Sequence, residues 1–199
     1  MNGSGCLKNV NIMEILSLFI FKMIKNKFKE NSKSVFYFKK KNNIILLKKK
    51  DLTFLKLKKN QKNFKSRMCV HDSKNENIHE MFVFHKKGSY VRPHKHLNKL
   101  ESLLVIKGEL KLLIFNAKGS LLKTVEMGSF DSGKVYFYKM KKNFFHTQII
   151  KKDTIFKEVT NGPFSKRKTL LAKWSPKEGM HKEIKKYLNY LKNCKVKSI

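Results

Sequence analysis

The chain has 199 residues, enough for one domain with a core and one extension. Hydrophobic residues make up 41% and aromatics 12%, which excludes an intrinsically disordered chain. The formal net charge is +32, yet lysine dominates arginine and is spread along the whole sequence, which argues against a dedicated nucleic-acid site with arginines clustered for bidentate contacts.

Abundant Lys, Asn, Ile and Phe together are what an AT-rich coding sequence gives. Weak, salt-sensitive adhesion to anions is expected, and no specific nucleic-acid partner. The three cysteines, Cys6, Cys69 and Cys194, are far apart and form no CxxC pair. Neither a disulfide framework nor a thiolate zinc site is expected, and a reducing, cytoplasmic location fits best.

Residues 1–33 have a helical pattern. Their apolar run "IMEILSLFIFKMI", Ile12 to Ile24, is interrupted by Glu14 and Lys22. It is too short to span ~30 Å of hydrocarbon, so no transmembrane segment is expected. It reads as an N-terminal helical extension that docks on the domain or stays poorly ordered.

From 34 to 160 the signal is strand-like. The runs are "SVFYF", "NIILL", "EMFVF", "SLLVIKG", "ELKLLIF", "SLLKTVEM", "KVYFYKM", "FHTQIIK" and "TIFKEVT". The breaks "KKGS", "NAKGS", "GSFDSGK" and "KKDT" are turn-like. "IFNAKGSLL" reads as a hairpin in which Gly119 supplies a positive φ. So many short strands without intervening helices predict a β-sandwich or barrel. Residues 161–199 open with "NGPF" and end in "HKEIKKYLNYLKN", which puts Ile184, Tyr187, Leu188 and Leu191 on one helical face. That helix is expected to cover a sheet.

The stretch "GSYVRPHKHLNKLESLLVIKG", residues 88–108, carries the chemistry. On a strand His94 and His96 point the same way. "LNKL" makes a turn, and Glu101 opens a run expected to return antiparallel, so that its carboxylate meets both imidazoles. Pro93 removes a ladder donor and suits an irregular strand start. Imidazole and carboxylate suit Zn, Fe, Ni or Mn. "NFFHTQII" offers His146 as a third imidazole, with Gln148 and Ile150 facing the same way. Such binding requires neutral imidazoles.

These residues fit the first cupin motif, G-x5-H-x-H-x4-E-x6-G, at every defined position. Beyond it, "SRMCVHDSKNENIHEMFVFHKKGSYVRPHKH", "FNAKGSLLK", "FFHTQII", "FKEVTNGPF" and "AKWSPKEG" resemble the WbuC-type cupins of bacterial O-antigen loci. The resemblance covers about residues 45–180. It implies an all-β cupin barrel (a double-stranded β-helix or jelly roll) with flanking helices. It also implies a divalent transition metal on His94, His96, Glu101 and His146, a homodimer, and a role in lipopolysaccharide biosynthesis. The second cupin motif departs from pattern: Lys141 and Asn143 stand where proline and glycine are usual, and Ile150 replaces asparagine. Asn tolerates the left-handed backbone that a glycine would take there.

Arg67, Tyr90 and Arg92 are expected at the barrel mouth, where guanidinium groups would hold an anionic substrate, with Gln148 inside. Tyr90 and His71 are the candidate proton-transfer residues. His79, His85 and His181 read as surface residues, Trp174 as a packing anchor, and Glu158 as a turn residue without chemistry. Two functions follow. The first is a metalloenzyme on a sugar or nucleotide-sugar, either an isomerase or epimerase or an Fe(II) oxygenase. The second is a non-enzymatic module that binds a sugar-like or anionic small molecule.

Overall fold

The structure is a computed structural model that describes residues 27–32, 34–39, 44–56, 64–141 and 143–195. Most of the expected N-terminal extension, including Ile12 to Ile24, therefore lies outside the described residues. Its last described part, Phe28–Ser32, is not helical but a strand, β1, hydrogen-bonded to β2 (Val35–Phe38) with Phe28 opposite Phe38.

Ten further strands follow: β3 (Lys65–Cys69), β4 (Ile78–His85), β5 (His94–His96), β6 (Glu101–Lys107), β7 (Glu109–Phe115), β8 (Leu121–Gly128), β9 (Phe137–Met140), β10 (Phe145–Ile150), β11 (Thr154–Asn161) and β12 (Thr169–Leu171). They form a seven-stranded sheet, β1-β2-β3-β4-β11-β6-β9, and a five-stranded sheet, β12-β5-β10-β7-β8. From β4 to β11 each connection crosses between the sheets, except β7 to β8, which pair as the expected hairpin. The inner quartets β4-β11-β6-β9 and β5-β10-β7-β8 are the order of a jelly roll.

Turn chemistry fits the sequence at two tight places. Gly119 closes the β7–β8 hairpin at φ +90°, with the Trp174 ring where a Cβ would stand. Gly108, at φ +96°, lets β6 turn into β7 against the Asp153 carbonyl. "NIILL" is the one expected strand that does not form. Residues 45–48 are irregular and lead into a short helix, α1 (Lys49–Thr53), whose Asp51 carboxylate accepts from the Lys48 amide at 2.7 Å. That cap turns the chain helical before any strand partner is met. β3 was not expected from "KSRMC", which has no apolar alternation.

Three apolar layers result. Between the sheets lie Met81, Val83, Leu103, Val105, Leu110, Leu112 and their neighbours. Outside the larger sheet, Phe28, Phe36, Phe54, Leu55 and Phe64 pack over Phe84. Outside the smaller sheet, Leu113, Phe115, Phe145 and Ile149 pack under α2 (His181–Asn193) and Trp174. The terminal helix covers a sheet face as expected, with Ile184 and Leu191 buried. Trp174 anchors that layer, its ring centroid 5.1 Å from that of Phe115 and 5.8 Å from that of Phe145. No helix among the described residues is long and apolar enough to cross a membrane.

Candidate metal centre

The interior of the jelly roll is not closed by apolar packing everywhere. β10 is buried on both faces: Phe145, Thr147 and Ile149 point toward α2, while His146, Gln148 and Ile150 point between the sheets. β5 runs beside it, with His94 directly opposite His146. The antiparallel return expected from Glu101 is corrected in one respect. β5 and β6 belong to different sheets, so "LNKL" carries the chain across the barrel instead of closing a hairpin. Glu101 therefore faces the imidazoles from the opposite wall, between Met140 and Thr160 in its own sheet.

His94, His96, Glu101 and His146 each place one ligating atom within 4.8 Å of the others. His96 Nε2 lies 2.9 Å and His146 Nε2 3.5 Å from Glu101 Oε2. The outer nitrogens are all engaged. His94 Nδ1 donates to the Arg92 carbonyl at 2.8 Å and His146 Nδ1 to the Phe144 carbonyl at 3.1 Å, while His96 Nδ1 shares a hydrogen bond with the Thr169 hydroxyl at 3.1 Å. A carbonyl can only accept, so His94 and His146 carry a proton on Nδ1, and their Nε2 atoms are the ones that face inward as ligands. Tyr138 donates to Glu101 Oε1, which leaves Oε2 for the centre. Three oriented imidazoles and one single-oxygen carboxylate are a donor set that fits a divalent transition metal.

The electrostatics fit as well. Burial, reinforced by His146, pushes His94 down to about 4, so its ring stays neutral. Burial opposes charge on His146 too, but Glu101 outweighs it and holds that imidazole above its usual value. Burial likewise opposes charge on Glu101, and His146 and His96 reverse this, keeping the carboxyl well below its ordinary range. Without metal, Glu101 thus favours a proton on the His146 ring, and a cation bound there would compete with it.

Removing an outer partner loosens one ring without touching a ligand. Thr169→Val is expected to lower metal affinity about 10- to 100-fold while leaving the fold intact, as read by competition against a chelating dye.

Asn143 takes φ 78° just ahead of β10, so it fills the left-handed position a glycine would occupy. The departing second motif thereby still delivers His146. Strand order and the convergent motif residues decide the architecture. The fold is a cupin-type jelly roll.

Comparison with known proteins is partial. The family model described as "Domain of unknown function (DUF6016)" matches residues 53–127, less than half of this chain. A search of curated proteins finds no match. Among solved structures, the capsular polysaccharide assembling protein CapF from Staphylococcus aureus is 17% identical at a TM-score of 0.42, with 49% of this chain and 27% of that chain covered. A mutant of Bacillus subtilis oxalate decarboxylase OxdC is 20% identical at a TM-score of 0.42, with 54% and 27% covered. Protein SO0799 from Shewanella oneidensis is 13% identical at a TM-score of 0.40, with 51% and 66% covered. The chain spans less than a third of the length of the first two.

The centre opens onto a cavity of about 650 Å³ along the inner face of the larger sheet. Arg67, Gln148 and His71 line it, as expected of pocket residues. Tyr90 and Arg92 do not. The Tyr90 hydroxyl donates to the Pro176 carbonyl at 2.9 Å, and Arg92 donates to Ala172 O at 2.9 Å and Ser175 Oγ at 3.3 Å. Residues 91–93 are irregular, so Arg92 loses the strand parity that would have set it beside His94. Both side chains tie the C-terminal segment to the barrel.

His79 and His85 are a second correction. They are 3% and 8% exposed, not surface residues, because alternation along β4 turns both inward with Met81 and Val83. His79 stacks on His71 with ring centroids 4.2 Å apart. Burial, with Lys65 and Arg67 nearby, pushes His85 down to about 3. Lys99, 6% exposed, also lines the cavity, its ammonium 5.7 Å from the centre of the Phe164 ring. Glu158, read from sequence as a turn residue, lines the cavity from the middle of β11. A strand-length run with apolar alternation was its only sequence signal.

Proposed function

We propose that this protein is a metal-dependent cupin acting on a small, anionic, sugar-related molecule in the biosynthesis of bacterial surface polysaccharide. One observation carries the reading. Four donor atoms converge from both walls of the barrel onto a cavity that, among the described residues, is lined by Lys65, Arg67, Lys74 and Lys99 against two carboxylates, Glu101 and Glu158. The WbuC-type resemblance of residues 45–180 supplies the polysaccharide context.

His94, His96, Glu101 and His146 would hold the metal, which when bound supplies Lewis acidity toward ligand oxygens. The chain's own residues do the rest. Thr169 and the two backbone carbonyls fix the rings, Tyr138 fixes Glu101, and the cavity cations draw in a negatively charged ligand.

Elemental analysis of protein purified without a histidine tag is expected to show one equivalent of Fe, Zn, Ni or Mn. Metal-loaded protein screened against sugar phosphates, sugar acids and nucleotide sugars is expected to convert one of them. A thermal shift without conversion would mark a binding module instead, and the absence of bound metal would sink the proposal.

A further inference from the structure

The cavity floor holds an acid that the metal centre does not use. Glu158 sits on β11 with Phe156 and Thr160 on the same inward face, and all three line the cavity. Across the sheet it is level with Leu103 of β6 and Met81 of β4, one pleat along from the Glu101 row. Among the described residues, no hydrogen bond or ion pair engages its carboxyl group. A structural carboxylate on the inward face of a central strand is normally held by donors.

The two walls differ in chemistry. The smaller sheet offers the cavity His94, His96, His146, Gln148 and Thr169, which are metal ligands, an amide and a hydroxyl. The larger sheet offers Glu158 beside His79, His85 and Cys69; burial lowers both imidazoles and raises the thiol, so of these Glu158 is the one that forms a carboxylate base. A ligand seated between the walls therefore meets a free acid–base group on one face only.

We propose that Glu158 is the acid–base residue of this cavity and that the reaction is a 1,2-proton shift in an anionic α-hydroxy-carbonyl compound, an aldose–ketose isomerisation. The inference rests on the metal-centre reading above. The Glu158 carboxylate takes the proton from the hydroxyl-bearing carbon. The C–H electron pair becomes the C=C bond of an enediol as the carbonyl π pair moves onto oxygen, and the hydroxyl proton passes to that oxygen. Protonated Glu158 then returns its proton to the former carbonyl carbon, and the other oxygen becomes the new carbonyl. Nothing is oxidised overall and nothing leaves. One group on one face suffices for this shift, whereas epimerisation calls for a second group on the opposite face, where the lining residues supply none. Arg67, Lys74 and Lys99 would pair with the anionic end.

The surroundings support the role. Burial first, and then Glu101, raise Glu158 to about 7, against the opposing pull of Arg67, His96 and His146. Cys69, Lys99 and Tyr138 are the other titratable groups within its electrostatic reach.

The test uses the full chain, loaded separately with Mn(II), Fe(II), Zn(II) or Ni(II), in deuterium oxide. The probes are D-fructose 6-phosphate, D-ribulose 5-phosphate and D-fructuronate, followed by NMR. Wild type is expected to place deuterium on the carbon beside the carbonyl of at least one probe. Glu158→Gln is expected to do so about 100-fold more slowly or worse, and Glu158→Asp at an intermediate rate. The Gln variant is expected to keep its metal content, its circular dichroism spectrum and its probe-induced thermal shift. Exchange at the wild-type rate in that variant, or no exchange of any probe by metal-loaded wild type, overturns the inference and leaves the metal centre standing. Failure of wild type to take up metal, seen by elemental analysis alone, removes both.

Discussion

His96→Ala is expected to purify without metal and to bind added metal at least about 100-fold more weakly than wild type. The substitution removes the imidazole 2.9 Å from Glu101, whose outer nitrogen is tied to the Thr169 hydroxyl of β12. A ligand deletion should cost more than loosening one ring by changing its outer partner, for which roughly 10- to 100-fold is usual. Linkage makes the loss visible without a substrate. Metal at about 1,000 times its dissociation constant stabilises the wild-type fold by ~4 kcal/mol, so its melting temperature should rise on loading. The variant should melt at the same temperature with and without metal. Stoichiometric metal in His96→Ala would show that the ion sits elsewhere, and the centre described above would then be only a buried proton-sharing network.

The metal ligands were legible because three of them lie within eight positions, where local geometry decides orientation: His94 and His96 share a face by strand parity, and Glu101 follows one short crossing. His146 was legible more weakly, since only an aromatic pair ahead of a strand-like run announced it, and its placement depends on Asn143 adopting a glycine-like φ of 78°. What could not be read is anything that depends on the neighbour across the sheet. "TIFKEVT" alternates, but parity alone does not say which wall Glu158 faces. The irregular register between Ile155 and Phe156, opposite β6, breaks any simple count from the turn. His79 and His85 were misread for a related reason. They flank the apolar run of β4 among lysines and acids, and only the place of β4 between β3 and β11 inside the larger sheet buries their inward face. Arg92 was misread because proline cancels the local parity that serves so well two residues later. Where the sequence has short-range geometry it specifies the site, and where side chains meet through strand order it does not.

Glu158→Gln is expected to stabilise the metal-free protein at pH 8 by about 3 kcal/mol, and to give no such gain below about pH 4.5. The folded-state carboxyl titrates at about 7, against an ordinary value of 4.5. Above pH 7 the group is ionised in both folded and unfolded chains, and the fold bears the full cost of a charge it disfavours, roughly 1.4 kcal/mol per unit of displacement. As pH falls from 7 to 4.5 the folded protein takes up a proton that the unfolded chain does not, so the penalty fades. Below 4.5 both are neutral and none remains. Glutamine is a neutral isostere at every pH, so the difference between the two melting curves should shrink through that window. Metal loading should shrink it as well, because a cation near Glu101 favours the ionised acid. A gain independent of pH would mean that the substitution acts by packing alone. A loss at pH 8 would mean that the Glu158 carboxylate is tied into the fold by donors. The expected result bears on function: an ionised acid that weakens the apoprotein and has no donor in the fold is placed there for its position in the cavity and not for stability.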